Sequence, residues 1–161
     1  MVPGQFERIY GVDINGDYLD ECQRRYNMLG AAFRPIETDL TGQALTLPRA
    51  DLLVANLLIE YIGYDHFKRA VKLAGPRYVS CVIQVNTESE AFVSASPYLH
   101  AFDRLCEVHH PVAEDSLTEA MAEIGYKMVL KEERELPNGK KLVRLDYRFV
   151  WDESAGAGNP I

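Results

Sequence analysis

Short apolar runs alternate with amphipathic helical patterns along most of the chain. The first run, residues 8–15, is rich in β-branched and aromatic side chains and too short for a helix, which favours a buried parallel strand. Residues 15–17 then supply turn and helix-capping chemistry. Apolar residues recur at helical spacing after that turn, at Tyr18, Leu19, Cys22 and Tyr26. The pattern predicts a strand, a tight turn and an amphipathic helix.

A second unit of the same kind follows. Gly30 is expected to end the first helix, a short strand could run up to Ile36, and Asp39 closes that strand-like piece. Residues 41–49 contain glycine and proline without a clear period and predict a connection. Residues 50–56 are apolar apart from one acid and the final asparagine, which is typical of a strand buried on both faces.

The third unit is a helix followed by a strand. Residues 57–74 place their apolar side chains on one helical face, and Gly63 is expected to break this helix into a turn and a longer part. Gly75 and Pro76 end the helix. Residues 77–85 form the most strand-like run in the chain.

The last part of the chain predicts a cover, a helix and a hairpin. Residues 86–112 lack a long period and are interpreted as a partly helical cover over the sheet. A helix is predicted from Ser116, capped by Ser116 or Asp115, with Glu119 in the capping-box position. Alternating apolar residues on both sides of a turn at 137–139 predict an antiparallel hairpin.

Composition limits the class of protein. With 161 residues, 47% of them hydrophobic, the chain can bury one sizeable core, so residues 1–151 are assigned to a single α/β domain and residues 152–161 to a disordered tail. The net charge of −7 opposes non-specific binding to nucleic acid or to an anionic membrane and favours a small or neutral partner. Three cysteines without paired spacing, and no signal or membrane-spanning stretch, favour a cytoplasmic protein with reduced thiols.

Asp13 stands at the end of the first predicted strand. Ligands of open α/β sheets bind at the carboxyl ends of the strands, and a carboxylate there can accept hydrogen bonds from both hydroxyls of a ribose. The alternative is that Asp13 caps the helix that follows. The residues of this stretch alone do not separate the two interpretations.

The order of the elements, three strand–helix units followed by a helix and a closing antiparallel hairpin, resembles the class I S-adenosylmethionine-dependent methyltransferases. Residues 11–15 look like the acid-ended second strand of that family, residues 37–40 like its next acid, and residues 51–58 like the strand that ends beside the reacting methyl group. The resemblance covers residues 6–150. It implies a Rossmann-like, mostly parallel sheet with helices on both faces, a C-terminal antiparallel β-hairpin and an N-terminally truncated architecture.

The resemblance also implies a site for S-adenosylmethionine. Asp13 would bind the ribose hydroxyls, Asp39 would face the adenine amino group with Leu40 against the ring, and the end of the next strand would lie beside the methionine moiety and the acceptor. The cofactor-binding residues implied in this way are Asp13, Ile14, Asn15, Asp39, Leu40, Asn56 and Leu57. The implied activity is methyl transfer to a small molecule. The alternative is a non-catalytic binding or assembly module descended from the same fold.

One family feature is missing from the sequence. The first strand and its glycine-rich loop, which approach the cofactor through bare backbone, should precede Arg8, and only seven residues stand there. The Gly-x-Gly pattern occurs only at Gly156 and Gly158, beyond the last predicted strand. Because the family's first strand lies between the second and the fourth, its absence would leave two inner strand edges unpaired. We therefore expect a homodimer or another self-association that covers these edges.

Other chemistry-bearing residues allow two interpretations each. Glu60 and Tyr61 could bind the acceptor, but they also suit the first turn of a helix, with Glu60 favouring the helix dipole and Tyr61 packing inward. Residues 106–110 contain a cysteine and two histidines, but adjacent histidines of an extended chain point in opposite directions, and no metal is expected. An aromatic cluster could line an acceptor pocket or simply pack on the sheet; its members are Phe92, Tyr98, His100 and Phe102.

Overall fold

The structure is a computed structural model that describes residues 4–86, 110, 112–136 and 139–150. The chain divides into two compact units, Met1–Thr46 and Leu47–Ile161, each with its own strands and at least one helix. The predicted irregular cover, the predicted tail and the centre of the predicted hairpin turn fall mainly outside the described residues.

The first unit is a strand–helix–strand crossover. Its elements are strand β1 (Ile9–Asp13), helix α1 (Gly16–Arg25), a 3₁₀ segment (Asn27–Ala32) and strand β2 (Phe33–Glu37). The two strands pair in parallel, from Ile9 opposite Phe33 to Asp13 opposite Glu37. The predicted strand, turn and helix are therefore confirmed.

Local hydrogen bonds explain where α1 begins and ends. The side chain of Asn15 accepts hydrogen bonds from the backbone amides of Asp17 and Tyr18, at 2.9 and 3.4 Å, so Asn15 is the N-cap. The prediction that Gly30 ends the helix was wrong. The backbone amide of Tyr26 closes the last turn of α1, and Gly30, with φ 49°, lies inside the 3₁₀ segment that follows.

In its described residues the second unit is a four-stranded mixed sheet with two helices. Its elements are β3 (Leu52–Asn56), α2 (Ile59–Ala74), β4 (Tyr78–Asn86), α3 (Glu114–Ala122), β5 (Tyr126–Leu136) and β6 (Lys140–Phe149). The strand order is β3-β4-β6-β5, in which β3 and β4 are parallel and the other pairings are antiparallel. The predicted closing hairpin is confirmed, with a register shift between Met128 and Leu130 that the sequence pattern did not indicate.

Both helices of this unit pack against one core on the sheet. Gly63, with φ 72°, interrupts α2 as predicted, and Gly75, with φ 54°, ends α2 in the left-handed conformation that glycine tolerates best. The core contains buried side chains from both helices and all four strands, among them Ala55, Ile59, Phe67, Cys81, Leu117, Met121, Tyr126 and Leu145.

The prediction that β3 is buried on both faces was wrong. Ala55 is 2% exposed, but Leu52 and Val54, which point to the opposite face, are 47% and 56% exposed. The reason is that the core-forming helices cover the face that carries Ala55, and β3 is an edge strand of its sheet. A run of apolar residues does not by itself distinguish burial on two faces from burial on one.

Helix α3 begins before its predicted cap. Ala113 is the N-cap and makes no side-chain hydrogen bond, while Ser116 and Glu119 lie inside the helix rather than in a capping box. The prediction of a Ser116 or Asp115 cap was therefore wrong, because the contacts of the first turn are tertiary and not local. The predicted apolar face is confirmed by the buried residues Leu117, Ala120 and Met121.

Four strands, β1, β2, β3 and β5, have a neighbouring strand on one side only within the described ranges. Strand β1 pairs there with β2 alone, and β3 pairs with β4 alone. The resemblance predicted two such edges, those of β1 and β3. Exposed edges of this kind are sites where a further strand can add.

Glu114 ties the first turn of α3 to the hairpin. Its carboxylate binds the ammonium groups of Lys131 and Lys141, and both lysines also bind Glu133. Burial of Glu114 opposes its ionisation, but the hydrogen bonds from Lys131 and Lys141 outweigh this and hold the pKa of the carboxyl below its ordinary value of 4.5. The network therefore stabilises the folded chain only while Glu114 is charged.

Glu114→Gln is expected to lower the free energy of unfolding at pH 7 by about 1 kcal/mol, because it removes the negative charge that pairs with Lys131 and Lys141. The folded pKa of Glu114 is lowered, so its contribution is complete above 4.5 and is lost as the pH falls through the folded value. Urea unfolding should show the gap between wild type and variant shrinking below about pH 4. Glu119→Gln, in an exposed acid of the same helix, is the control, and a gap that persists in strong acid would contradict the assignment.

Candidate functional site

Asp13 ends β1 and is partly buried. Its Oδ1 accepts a hydrogen bond from the backbone amide of Asn15 at 2.8 Å, and its main-chain carbonyl accepts one from the amide of Thr38 at 2.9 Å. Because Asn15 is the N-cap of α1, Asp13 is not the residue that caps the helix. Within the part of the chain that the structure describes, Oδ2 of Asp13 has no hydrogen-bond donor, so one carboxylate oxygen is available to a ligand.

Apolar side chains are exposed beside this carboxylate. Ile14, the next residue, is 67% exposed, and Tyr18 in the first turn of α1 is 66% exposed. A nucleoside offers both a flat apolar ring and hydroxyl donors, so an acceptor next to exposed apolar groups suits such a ligand. The side chain of Asn15 is already engaged as the helix cap.

Asp39 and Leu40 follow β2 at the same end of the parallel pair. Oδ1 of Asp39 accepts hydrogen bonds from the backbone amide and the hydroxyl of Thr41, at 2.8 and 2.7 Å, which forms a tight turn. The Asp39 side chain is exposed and Leu40 is half-buried. The first unit thus brings five of the predicted residues to the carboxyl end of its parallel strand pair: Asp13, Ile14, Asn15, Asp39 and Leu40.

Asn56 ends β3 with an exposed side chain, and the residue after it has a strained backbone. Leu57 has φ 52°, in the left-handed region that costs a residue with a side chain about 1–2 kcal/mol. Its amide donates to the carbonyl of Val82 at 2.8 Å, and its side chain is 43% exposed. Strain of this kind concentrates at functional sites, and here it lies where the resemblance places one.

Glu60 and Tyr61 lie in the first turn of α2. Glu60 is 1% exposed; its Oε1 accepts a hydrogen bond from the backbone amide of Gln84 at 2.9 Å, and its carbonyl accepts one from the amide of His110 at 2.7 Å. Tyr61 is half-buried, and its amide donates to the carbonyl of Leu58 at 3.0 Å. The buried Glu60 carboxylate presents no surface to an acceptor, so any part that it has in acceptor binding is indirect.

Sequence reasoning did not identify Gln84 or His110 as parts of this region. Gln84 is an unremarked polar position in a long strand pattern, and His110 was considered only as a metal ligand. Both are held by Glu60, far away in sequence. The one usable signal was the acid itself, since an acid in a helix that packs on a sheet must find a donor.

Metal and thiol chemistry have little support in the described ranges. No group of three or more His, Cys, Asp or Glu side chains is placed there to hold a metal ion, and Cys106 and His109 lie outside those ranges. Cys81 is buried, and burial, followed by the negative charges of Asp146 and Glu60, raises the pKa of its thiol. A raised pKa disfavours the thiolate that nucleophilic attack requires.

Open clefts of about 500 and 510 Å³ lie on the surface of the described residues. One lies beside α2 and α3 and is lined by Lys68 and His110 among others, and the other lies beside the hairpin near Arg144. Neither is lined by a residue predicted to bind the cofactor. Among the helices that the structure describes, none has the length and apolar character needed to cross a membrane.

The parallel crossover of the first unit, the parallel β3–β4 pair and the closing hairpin define the class I methyltransferase fold. Magnesium protoporphyrin IX methyltransferase from Synechocystis PCC 6803, with bound SAH, matches with a TM-score of 0.62 and 12% identity over 89% of this chain and 64% of that chain. N-methyltransferase NodS from Bradyrhizobium japonicum WM9, in complex with S-adenosyl-L-homocysteine, matches with a TM-score of 0.62 and 14% identity, over 88% and 66%. The [4+2]-cyclase SpnF matches with a TM-score of 0.63 and 12% identity, over 88% and 66%.

These likenesses are structural. No family model matches the sequence, and no curated protein matches it. The chain spans just under two thirds of the length of these three solved chains. At 12–14% identity they show the fold alone, and one of them is named for a cyclisation rather than a methyl transfer, so the reaction has to be argued from the site.

Leu57→Gly is expected to leave the free energy of unfolding unchanged or to raise it by up to about 1 kcal/mol, because glycine adopts a positive φ without strain. Leu52→Gly is the matched control: Leu52 is similarly exposed but lies in β3, where glycine should cost about 0.5–1 kcal/mol. Denaturant unfolding of both variants gives the comparison. A loss at Leu57 as large as that at Leu52 would show that the strained backbone is not a property of the folded chain in solution.

Proposed function

We propose that this chain is a methyltransferase-like domain that transfers a methyl group from S-adenosylmethionine to a small molecule. The observation that carries the proposal is the group at the end of β1, where the Asp13 carboxylate has one unengaged oxygen next to the exposed side chain of Ile14. This group stands in a fold whose solved examples include methyltransferases with bound S-adenosylhomocysteine.

The residues at the end of the parallel pair fit the adenosine part of the cofactor. Oδ2 of Asp13 accepts hydrogen bonds from the ribose hydroxyls, since Oδ1 already accepts one from the backbone amide of Asn15. Ile14 and Leu40 supply apolar contacts to the ring, and the exposed Asp39 faces the adenine amino group. Asn15 contributes by capping α1, which fixes the turn that carries Asp13.

The end of β3 fits the methionine and acceptor side. The left-handed backbone of Leu57 turns the chain away from the sheet directly after Asn56, so the exposed Asn56 amide stands at the strand tip. When bound, S-adenosylmethionine supplies a methyl group on a positively charged sulfur. The role of Asn56 and Leu57 is to hold the methyl donor and the methyl acceptor in line. Alignment of two substrates alone accounts for a large share of the rate enhancement in such reactions.

The described residues do not include a glycine-rich backbone cradle for the carboxypropyl end of the cofactor. The matching chains are longer than this one. We propose that a second copy of the chain contacts that end. Cys22 and Cys81 are free thiols, and the acidic net charge of −7 disfavours nucleic acid, which together support a cytoplasmic enzyme with a small-molecule acceptor.

Asp13→Ala is expected to weaken binding of S-adenosylhomocysteine at least roughly tenfold, because hydrogen bonds to a charged acceptor are worth about 1.5–3 kcal/mol. Isothermal titration measures the affinity, and the thermal midpoint should fall only modestly, because the Asn15 amide loses its acceptor while Asn15 still caps α1. Asp20→Ala, in an exposed acid of α1, is the control. Unchanged affinity with a large loss of stability would assign Asp13 to folding alone.

A non-catalytic assembly module is the second candidate, and the free edges of β1 and β3 favour it. Leu52 and Val54 are exposed along the free edge strand of the second unit. An exposed apolar edge strand pairs readily with another chain. Wild-type chain that binds S-adenosylhomocysteine only at millimolar concentration, or not at all, would support this candidate over the enzyme.

Either candidate predicts self-association through these edges. Light scattering should show a dimer or larger closed assembly, and Val54→Lys should weaken it roughly tenfold, because a charge on an edge strand opposes strand addition. Val129→Lys is the control, since Val129 is 51% exposed on β5, away from β3. A wild-type monomer at high concentration, or equal effects of the two lysines, would contradict association through the β3 edge.

A further inference from the structure

Strand β4 continues past the end of β3. Asn56 is the last residue of β3, opposite Val82, and the amide of Leu57 closes the ladder on the carbonyl of Val82 at 2.8 Å. In a parallel ladder the next β4 amide on this side is that of Gln84, whose regular partner would be the carbonyl of Leu57. The positive φ of Leu57 turns the chain away at this point, and the amide of Gln84 bonds Glu60 instead.

Glu60 therefore completes the ladder with a side chain. Its Oε1 accepts the Gln84 amide at 2.9 Å, and its main-chain carbonyl accepts the His110 amide at 2.7 Å. One residue in the first turn of α2 thus holds two segments of chain, the last part of β4 and the backbone at His110. The first of these runs directly beside the turn that follows Asn56.

Packing alone does not account for a carboxylate at this position. Glu60 is 1% exposed, and its Oε2 is buried without a hydrogen-bond partner among the residues that the structure describes. A buried acceptor without a partner is destabilising, and native proteins contain few of them. An apolar side chain would fill the same space without that penalty, but it could not accept the Gln84 amide.

We propose that Glu60 is a positioning residue of the methyltransferase site. Strand β6 already holds β4 at Gln84, so the bond from the Gln84 amide to Glu60 ties the first turn of α2 to a fixed strand and sets the position of the turn at Asn56 and Leu57. The side chain is buried, and it acts through these neighbours without touching the ligand. The inference rests on the proposed function for what Asn56 and Leu57 bind, whereas the bond between Glu60 and Gln84 is a property of the folded chain and can be tested without any ligand.

Hydrogen exchange of backbone amides tests the bond directly. Glu60→Ala should speed exchange at Gln84 roughly tenfold relative to other β4 amides, because the amide loses its acceptor. Glu60→Gln keeps an oxygen in the place of Oε1 and should restore slow exchange. The His110 amide is an internal comparison, since its acceptor is the main-chain carbonyl, which both variants retain.

Affinity for S-adenosylhomocysteine tests the positioning role. Glu60→Ala should weaken binding several-fold, and Glu60→Gln should recover it. Val71→Ala is the matched control, because Val71 is fully buried in the same helix and its truncation lowers stability without altering the bond to Gln84. This variant should keep both the wild-type affinity and the wild-type exchange at Gln84 relative to other β4 amides.

Each result decides the proposal. Unchanged relative exchange at Gln84 in Glu60→Ala, or an equal change in Val71→Ala, would overturn it. Faster exchange with undiminished affinity would also overturn it and leave Glu60 a structural residue. If the wild-type chain does not bind S-adenosylhomocysteine, the proposed function fails, and the exchange pattern of the Gln84 amide still decides whether Glu60 ties the first turn of α2 to β4.

Discussion

Backbone amides at the ends of the strands must find acceptors where no neighbouring strand can supply them, and this constraint shapes both units. Three carboxylates meet it: Asp13, Asp39 and Glu60. Each accepts a backbone amide just beyond the point where a parallel ladder ends. The acids that look like ligand-binding residues in the sequence therefore also have a structural role: each accepts a hydrogen bond from a backbone amide at the end of a strand.

This double role determines what each residue can offer a ligand. Asp13 uses one oxygen for the Asn15 amide and keeps the other available, which suits a ribose. Glu60 is buried and uses its carboxylate to tie α2 to β4, so it can only support a site that other residues form. Leu57 belongs to the arrangement around Glu60, because its strained backbone follows the exposed Asn56 and leaves the Gln84 amide to Glu60.

The sequence was informative where the signal is local or repeats along an element. The first strand, the Asn15 turn, the break at Gly63 and the closing hairpin follow from short-range patterns, and all are confirmed. The start of α3 was predicted wrongly because its anchor, Glu114, binds lysines of the distant hairpin. Burial of β3 was overestimated because apolar composition does not report which face a helix covers. The contacts of Glu60 with Gln84 and His110 depend on tertiary packing, which the spacing of residues along the sequence does not predict.

The central claim is that the residues at the end of β1 and those at the end of β3 each bind the methyl donor. Titration of S-adenosylhomocysteine into the ¹⁵N-labelled chain, followed by heteronuclear NMR, tests it most directly. The account predicts saturable shifts of the backbone amides of Ile14, Leu40 and Leu57. Shifts confined to the cleft beside Lys68, or no shifts at millimolar concentration, would contradict it.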